Sequence, residues 1–252
     1  MAQQTWTADA LDGIRHGFAV LERPFQIVDE RISGATPYLH WPVAGRKGDE
    51  FTEQFYDVDA DVAAALIDIA AADPGPDHLV SAISVERPAD DDAWTTAGYE
   101  VGSSEPFMAI DLTAIAPPEP GYPVARVTTL DEATRIADAH RAIGYPVRQF
   151  NQALLDVDAI RYLQIMLDDL PVCVGKIALT APCAYVTDIV TLPDYRKRGL
   201  ATALMHALHA EASTSGITQV ALTSTAMAEP LYASLGYQVV AKQVLWCTPE
   251  RE

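Results

Sequence analysis

Between Tyr185 and Ser213 the chain changes its hydrophobic period abruptly, and this change limits the fold more than any other stretch. Tyr185–Leu192 is rich in β-branched residues and reads as a strand. Pro193-Asp194-Tyr195 interrupts it, and Arg196-Lys197-Arg198-Gly199-Leu200-Ala201 follows. From Leu200 the apolar residues Leu200, Ala203, Leu204, Ala207 and Leu208 fall on the i, i+3, i+4, i+7, i+8 stripe of a helix, and Gly216 supplies its stop. A strand that feeds such a helix through a short loop must pack the helix back onto a sheet, so the fold class is α/β.

The segments around this unit alternate in the same way. Thr129-Leu130-Asp131-Glu132 is a capping-box sequence, and it predicts a helix running to about Ile143, before Gly144. A shorter helix is expected over Asn151–Ala159. Tyr162–Leu167 and Val172–Leu179 read as a strand pair joined through Asp168-Asp169. Gln219–Thr223 reads as a strand, Glu229–Leu235 as a short helix with Pro230 in its first turn, and Tyr237–Trp246 as the last strand. The expected architecture is a mixed, twisted sheet flanked by helices. Ala116–Pro123 holds four prolines and a glycine, which no helix or central strand tolerates. The expected domains are therefore 1–118 and 119–252.

An internal repeat crosses that seam. Ala65-Leu66, Val80 and Trp94-x-x-x-Gly98-Tyr99 recur as Ala203-Leu204, Val220 and Tyr232-x-x-x-Gly236-Tyr237, with 33 positions from Ala65 to Gly98 and from Ala203 to Gly236. Where the second copy has Arg196–Ala201, the first has Val58–Ala63, with neither Arg nor Gly. The N-terminal half thus reads as an accessory domain or a worn copy of the C-terminal half.

Charge is distributed unevenly. Residues 1–120 carry 6 Lys/Arg against 22 Asp/Glu, and residues 121–252 carry 11 against 13, within a net charge of −18. Such an acidic field repels nucleic acid, so no nucleic-acid partner is expected. It favours either solubility or the steering of a cationic substrate. No apolar run is long enough to span a bilayer, and the N-terminus does not read as a secretory leader. The 3 cysteines are scattered, which suits a reducing, cytoplasmic compartment better than a disulfide framework. No metal site is expected; His206 and His209 have a ligand-like spacing of three, but a solvated helix face explains them as well. His140, Tyr145 and Arg148 fit a surface, with an acceptor site as the other reading.

The loop itself has chemistry. Gly199 and the small Ala201 let backbone approach a phosphate closely, free amides of a first helical turn bind anions, and Arg196, Lys197 and Arg198 add positive charge. Neither a dinucleotide fingerprint nor a Gly-Lys-Ser/Thr loop is present.

Residues 124–246 resemble the GCN5-related N-acetyltransferase (GNAT) family. Arg196-x-x-Gly199-x-Ala201, with its Leu192-Pro-x-Tyr-Arg196 lead-in, is similar to the family's Gln/Arg-x-x-Gly-x-Gly/Ala signature. Leu231-Tyr-Ala-Ser-Leu-Gly-Tyr237 is similar to its closing motif. The resemblance implies that acetyl-CoA is the cosubstrate and lies in a gap between the strands at 185–192 and 219–223. Backbone of Ile189, Val190 and Thr191 would hold the pantetheine arm. Amides of Arg198, Gly199, Leu200, Ala201 and Thr202, with Arg196 and Lys197 alongside, would hold the pyrophosphate. Thr225 stands where many members place an Asn facing the cofactor. Tyr232 would protonate the leaving thiolate. The family's carboxylate base on this strand is replaced here by Tyr185. Asp188 is the remaining candidate, on the condition that a bulge overcomes strand alternation, and a water-relayed deprotonation is the other. The implied partner is an amine acceptor, small and cationic (an antibiotic or a polyamine) or a protein N-terminus or lysine; a non-catalytic CoA-binding regulatory module stays open, as do monomer and homodimer.

Overall fold

A computed structural model of the chain describes Gly17 and residues 29–33, 36–44, 50–56, 66–67, 69–70, 79–84, 91–114, 121–145 and 152–248. In chain order the strands are β1 (Asp29–Ser33), β2 (Thr36–Ala44), β3 (Glu50–Tyr56), β4 (Leu79–Ser84), β5 (Glu100–Asp111), β6 (Ala125–Arg126), β7 (Ile160–Leu167), β8 (Leu170–Ala178), β9 (Cys183–Thr191), β10 (Gln219–Thr223) and β11 (Gln238–Cys247). The helices are α1 (Asp91–Thr96), α2 (Leu130–Ala142), α3 (Gln152–Leu155), α4 (Leu200–Thr214) and α5 (Glu229–Ser234). These residues form two compact units, each interrupted in sequence. The first takes Gly17 and the described residues within 109–222 and 231–237; the second takes those within 25–108, 223–230 and 238–252. Most of the proline-rich seam, 115–120, lies outside the described residues.

In the first unit β7 pairs antiparallel with β6 and β8, β8 antiparallel with β9, and β9 parallel with β10. The sheet is mixed, as expected. Leu167 faces Leu170 across the two-residue loop Asp168-Asp169, whose φ values of 50° and 63° suit a type I′ hairpin turn. Successive β8 residues point to opposite faces: Val174 joins Val127, Ala133, Ile136, Tyr162 and Val190 under α2, while Gly175 lies against Leu204 and Leu208 of α4. Helices therefore cover both faces of this sheet. The buried stripe of α4 comprises Leu200, Leu204, Met205, Leu208, His209 and Ala212, so it is rotated from the expected one toward Met205 and His209.

Helix α2 begins with the capping box read in the sequence. The Thr129 hydroxyl accepts from the Glu132 amide, and Glu132 Oε2 accepts from the amides of Thr129 (3.1 Å) and Thr128 (2.9 Å). The other carboxylate oxygen accepts from Gln164 Nε2 at 3.2 Å, which ties the helix start to β7. Helix α3 is shorter than expected, a single turn ending at Leu155. Gln152 Nε2 closes on Asp156 Oδ1 at 2.8 Å, and the Ile160 amide already donates to the Val157 carbonyl to start β7.

In the second unit β1 and β2, and β2 and β3, pair antiparallel; β3 and β4 pair parallel; β4 pairs antiparallel with β11. The succession antiparallel, antiparallel, parallel over β1–β4 is that of β7–β10 in the first unit. Its core gathers Ile69, Val80, Trp94, Tyr99, Val244 and Trp246, with Trp94 stacked on Trp246 at 5.9 Å.

Four described helices end in a Schellman turn, α4 among them through Gly216 and Ile217, and three of the four share a Gly-Tyr sequence. After α1, α2 and α5 a glycine adopts positive φ (Gly98 91°, Gly144 71°, Gly236 96°). The following tyrosine amide donates to the carbonyl five residues back: Tyr99 to Trp94, Tyr145 to His140, Tyr237 to Tyr232, at 3.0, 3.0 and 3.1 Å. The glycine amide reaches the carbonyl three back in each case, which completes a Schellman turn. The two side chains bracketing the turn touch, with ring centroids 5.4, 5.5 and 5.7 Å apart. The repeat seen in the sequence is thus a repeat of this turn, and His140-x-x-x-Gly144-Tyr145 is a third instance.

The cap of α2 is directly testable. Thr129→Ala should destabilise the fold by about 0.5–2 kcal/mol in chemical denaturation. The Thr128 amide, above all, holds the Glu132 carboxyl below its ordinary range. A depressed folded pKa means that its stabilisation is present above the unfolded value and fades as pH falls through the folded one. Glu132→Gln should flatten that part of the acid limb of stability against pH.

Candidate active site

Strand β9 is bulged where the sequence made the role of Asp188 conditional on a bulge. Lys176 faces Thr187 and Val174 faces Val190, so Gly175 alone faces two residues, Asp188 and Ile189. Asp188 takes φ 55°, a left-handed value that an aspartate tolerates better than most residues. Gly175 leaves space for the Ile189 side chain: a Cβ there would stand 2.3 Å from Ile189 Cδ1 and 3.0 Å from Leu204 Cδ2. Asp188 Oδ2 accepts from Lys176 Nζ at 2.8 Å, and that ammonium lies 5.2 Å from the centre of the Tyr162 ring. Lys176 escaped the sequence reading because its place opposite the bulge depends on cross-strand register.

The same strand parts from β10. Their ladder runs from Cys183–Gln219 to Val186–Leu222 and stops. Beyond it Val190 and Thr191 keep β8 on one edge, while among the described residues of this unit no strand pairs with the other edge of Ile189–Thr191. This is the gap in which the resemblance places a pantetheine arm, and an extended chain can add to such an edge by main-chain hydrogen bonds.

The basic loop follows at once. Pro193–Tyr195 forms a 3-10 turn, Lys197 takes φ 59°, and Gly199 is the N-cap of α4 at φ 79°. Among the described residues no side chain caps this helix, and no acidic residue lies in its first turn. The first amide seen to reach an intrahelical carbonyl is that of Ala203, to Gly199 at 3.0 Å, and no described group accepts from the amides before it in the turn. Leu200 is buried, so only its backbone can serve there, whereas Ala201 and Thr202 are half-buried. The guanidinium groups also brace the loop: Arg196 Nε donates to the Thr191 carbonyl at 3.1 Å and Arg198 Nη2 to the Asp194 carbonyl at 2.8 Å. Tyr122, read in the sequence only as part of a linker, donates its hydroxyl to the Arg198 carbonyl at 3.0 Å.

Tyr232, on α5, is buried, and burial pushes its phenol up to about 12, with Cys173 and Tyr145 as further causes. Cys173 lies on β8 with Sγ 3.2 Å from Thr191 Oγ1, and burial pushes its thiol up to about 11. Tyr145 feels Asp188 and is felt by Tyr232, so it stands in electrostatic reach of both candidates for proton transfer. His140 was read as a surface residue, but it is buried, packed edge-on to Tyr145, and its imidazole is held below the ordinary range by desolvation. His209 was read on a solvated face and is likewise buried, hydrogen-bonded through Nε2 to the Tyr237 hydroxyl at 2.8 Å. For His209 the buried stripe of α4 is rotated from the expected one. Among the described residues no three His, Cys, Asp or Glu gather as a metal site. Thr225 is exposed in the second unit, where its carbonyl accepts from the amides of Ala228 and Glu229. Arg148 lies outside the described residues.

Against known families, residues 146–245 match the acetyltransferase (GNAT) domain. The chain carries a GNAT domain. It is an acetyltransferase domain, and the uncapped helix start and the parted strand lie within the matched residues. Solved structures share the fold over nearly the whole length. A GCN5-related N-acetyltransferase from Kribbella flavida is 20% identical with a TM-score of 0.62, covering 100% of this chain and 96% of that one. A GNAT-family protein from Novosphingobium aromaticivorans is 18% identical with a TM-score of 0.61, covering 97% and 99%. A tandem GNAT protein of the clavulanic acid biosynthesis pathway is 13% identical with a TM-score of 0.57, covering 99% and 97%. No curated protein matches the sequence. No described helix of the GNAT domain or of the rest of the chain is long and apolar enough to cross a membrane.

If Gly175 is what admits the bulge, Gly175→Ala should cost about 1–3 kcal/mol of stability through overpacking. It should also weaken acetyl-CoA binding in calorimetry, because Ile189 and its neighbours would shift. Unchanged affinity would separate the bulge from the cofactor edge.

Proposed function

We propose that the chain transfers the acetyl group of acetyl-CoA to a primary amine, with a small cationic amine as acceptor. The observation that carries this reading is the parting of β9 from β10 beside an uncapped, basic helix start. The free edge of Ile189–Thr191 suits the pantetheine arm. The first-turn amides of Arg198–Thr202, backed by the helix dipole and flanked by Arg196 and Lys197, suit the pyrophosphate. A backbone amide near Val190 would polarise the thioester carbonyl.

Tyr232 is the proton donor in this reading. A phenol at about 12 opposite an ordinary thiolate near 8.5 would face a steep proton transfer. In this reading the phenol stays protonated until C–S cleavage builds charge on the sulfur, and transfer accompanies that step rather than preceding it. Asp188 is the candidate base, re-aimed by the bulge and engaged by Lys176. That Lys176 rests between a carboxylate and the Tyr162 ring supports an ammonium-compatible pocket, as does the acidic balance of residues 1–120.

The N-terminal half is proposed as a degenerate copy of the GNAT fold, with domains at 1–118 and 119–252. The strand pairing of β1–β4, the turn at Trp94–Tyr99 and the whole-length likeness to a tandem GNAT protein support it. Trp94 stands at the place of Tyr232 in the motif and is packed into an apolar core, so no proton donor is available there. One acetyl-CoA per chain follows, and calorimetry giving two would refute the degenerate-copy reading.

Thiol release from acetyl-CoA across a panel of spermidine, kanamycin and a peptide with a free N-terminus tests the function. A small amine alone should give turnover. Turnover only with the peptide would move the acceptor to protein, and cofactor binding without turnover would leave a regulatory module. Tyr232→Phe should lower kcat about 10²–10⁴-fold while acetyl-CoA affinity holds.

A further inference from the structure

The buried pair His209 and Tyr237 has no part in the scheme above, yet it joins its two halves. His209 is on α4, the helix whose start is the basic loop; Tyr237 follows α5, the helix that carries Tyr232. Tyr237 is held at three points. Its hydroxyl meets His209 Nε2 at 2.8 Å. Its amide donates to the Tyr232 carbonyl at 3.1 Å. Its ring lies 5.7 Å from that of Tyr232 at an interplanar angle of 60°. All three residues are buried, at 8% exposure for His209, 3% for Tyr237 and 5% for Tyr232. A hydroxyl and an imidazole nitrogen kept from water are costly to leave unpaired, so the bond strongly favours one placement of Tyr237.

We infer that His209 is a positioning residue for proton transfer: through the Tyr237 hydroxyl it fixes the turn that ends α5 and thereby the direction of the Tyr232 phenol relative to α4. Burial supports this, because it holds the imidazole down to about 4 and the Tyr237 phenol well above its ordinary range. The pair therefore stays neutral and hydrogen-bonded over the whole range in which such an enzyme works. The partly exposed His206, 6.4 Å away, contributes only by lowering His209 further. The other groups facing the pair are Tyr232 and Cys183, which act on Tyr237. The inference rests on the assignment of Tyr232 as proton donor.

The test uses the full chain with His209→Leu, His209→Gln, His209→Asn, Tyr237→Phe and the double variant His209→Leu/Tyr237→Phe. Glutamine can set a polar atom near the place of Nε2, and asparagine cannot. Hydrogen exchange over 229–237, which needs no acceptor, should speed up at least tenfold in His209→Leu, His209→Asn and Tyr237→Phe, and stay near wild type in His209→Gln. With the best amine of the panel, the same three variants should lose roughly tenfold in kcat with KM for acetyl-CoA within twofold. The double variant should be no worse than either single one. Exchange over 229–237 unchanged in both His209→Leu and Tyr237→Phe would overturn the inference, as would losses that multiply in the double variant. Tyr232→Phe measured alongside separates the two claims. Full activity in it removes the proton donor itself, whereas an inactive Tyr232→Phe beside a fully active Tyr237→Phe removes only the positioning. If His209→Leu does not fold, Tyr237→Phe, which keeps the ring and deletes only the hydroxyl, decides alone.

Discussion

Gly175 leaves a space on β8 that the Ile189 side chain fills, and the shape of the cofactor side depends on that packing. A Cβ at 175 would press on the end of the Ile189 side chain and on Leu204, so both would have to shift. With the extra residue accommodated, Asp188 turns toward Lys176, and Val190 and Thr191 keep their places against β8 while β10 ends its pairing at Leu222. An exposed row of main-chain groups inside a sheet is ordinarily an unfavourable edge. Here it sits beside an uncapped helix N-terminus that is also unsatisfied. In the proposed function these two backbone features act together on a ligand that is strand-like and anionic at one end.

Much of this was legible in the sequence, wherever local rules govern. The capping box at Thr129–Glu132, the Asp168-Asp169 turn, the Gly216 stop and the strand–loop–helix around Arg196 each depend on residues within a few positions of one another. Burial of particular helix faces was read less well. His140 and His209 were assigned to solvent because an imidazole on a helix is usually wet, and only packing across the sheet reveals that each is enclosed. Lys176 and Cys173 gave no local signal at all: their meaning arises from register with Asp188 and Thr191 on the next strand. The role of Asp188 lay between these cases. Alternation argued against it, and the bulge that reverses the argument shows only in the register of β9 against β8.

Electrostatics in the first unit follow from desolvation more than from pairing. Tyr162, Tyr232, Tyr237 and Cys173 are all raised, and His140 and His209 lowered, with burial as the leading cause in each. Such a region keeps its groups uncharged at neutral pH, as the proposed role of Tyr232 as proton donor requires. The basic loop is solvent-exposed by contrast, so its attraction for phosphate should weaken with salt while the chemistry beneath it does not.

The turn that closes α1, α2 and α5 behaves as a socket. Its backbone is set by the glycine and the tyrosine that follows, and the residue five positions before that tyrosine is held at one address whatever its side chain. Tryptophan fills that address at the end of α1, histidine at the end of α2 and tyrosine at the end of α5, each with its ring against the following tyrosine. Exchanging chemistry at such an address requires no redesign of the surrounding chain, so a copy can lose its reactivity by one substitution and keep its architecture.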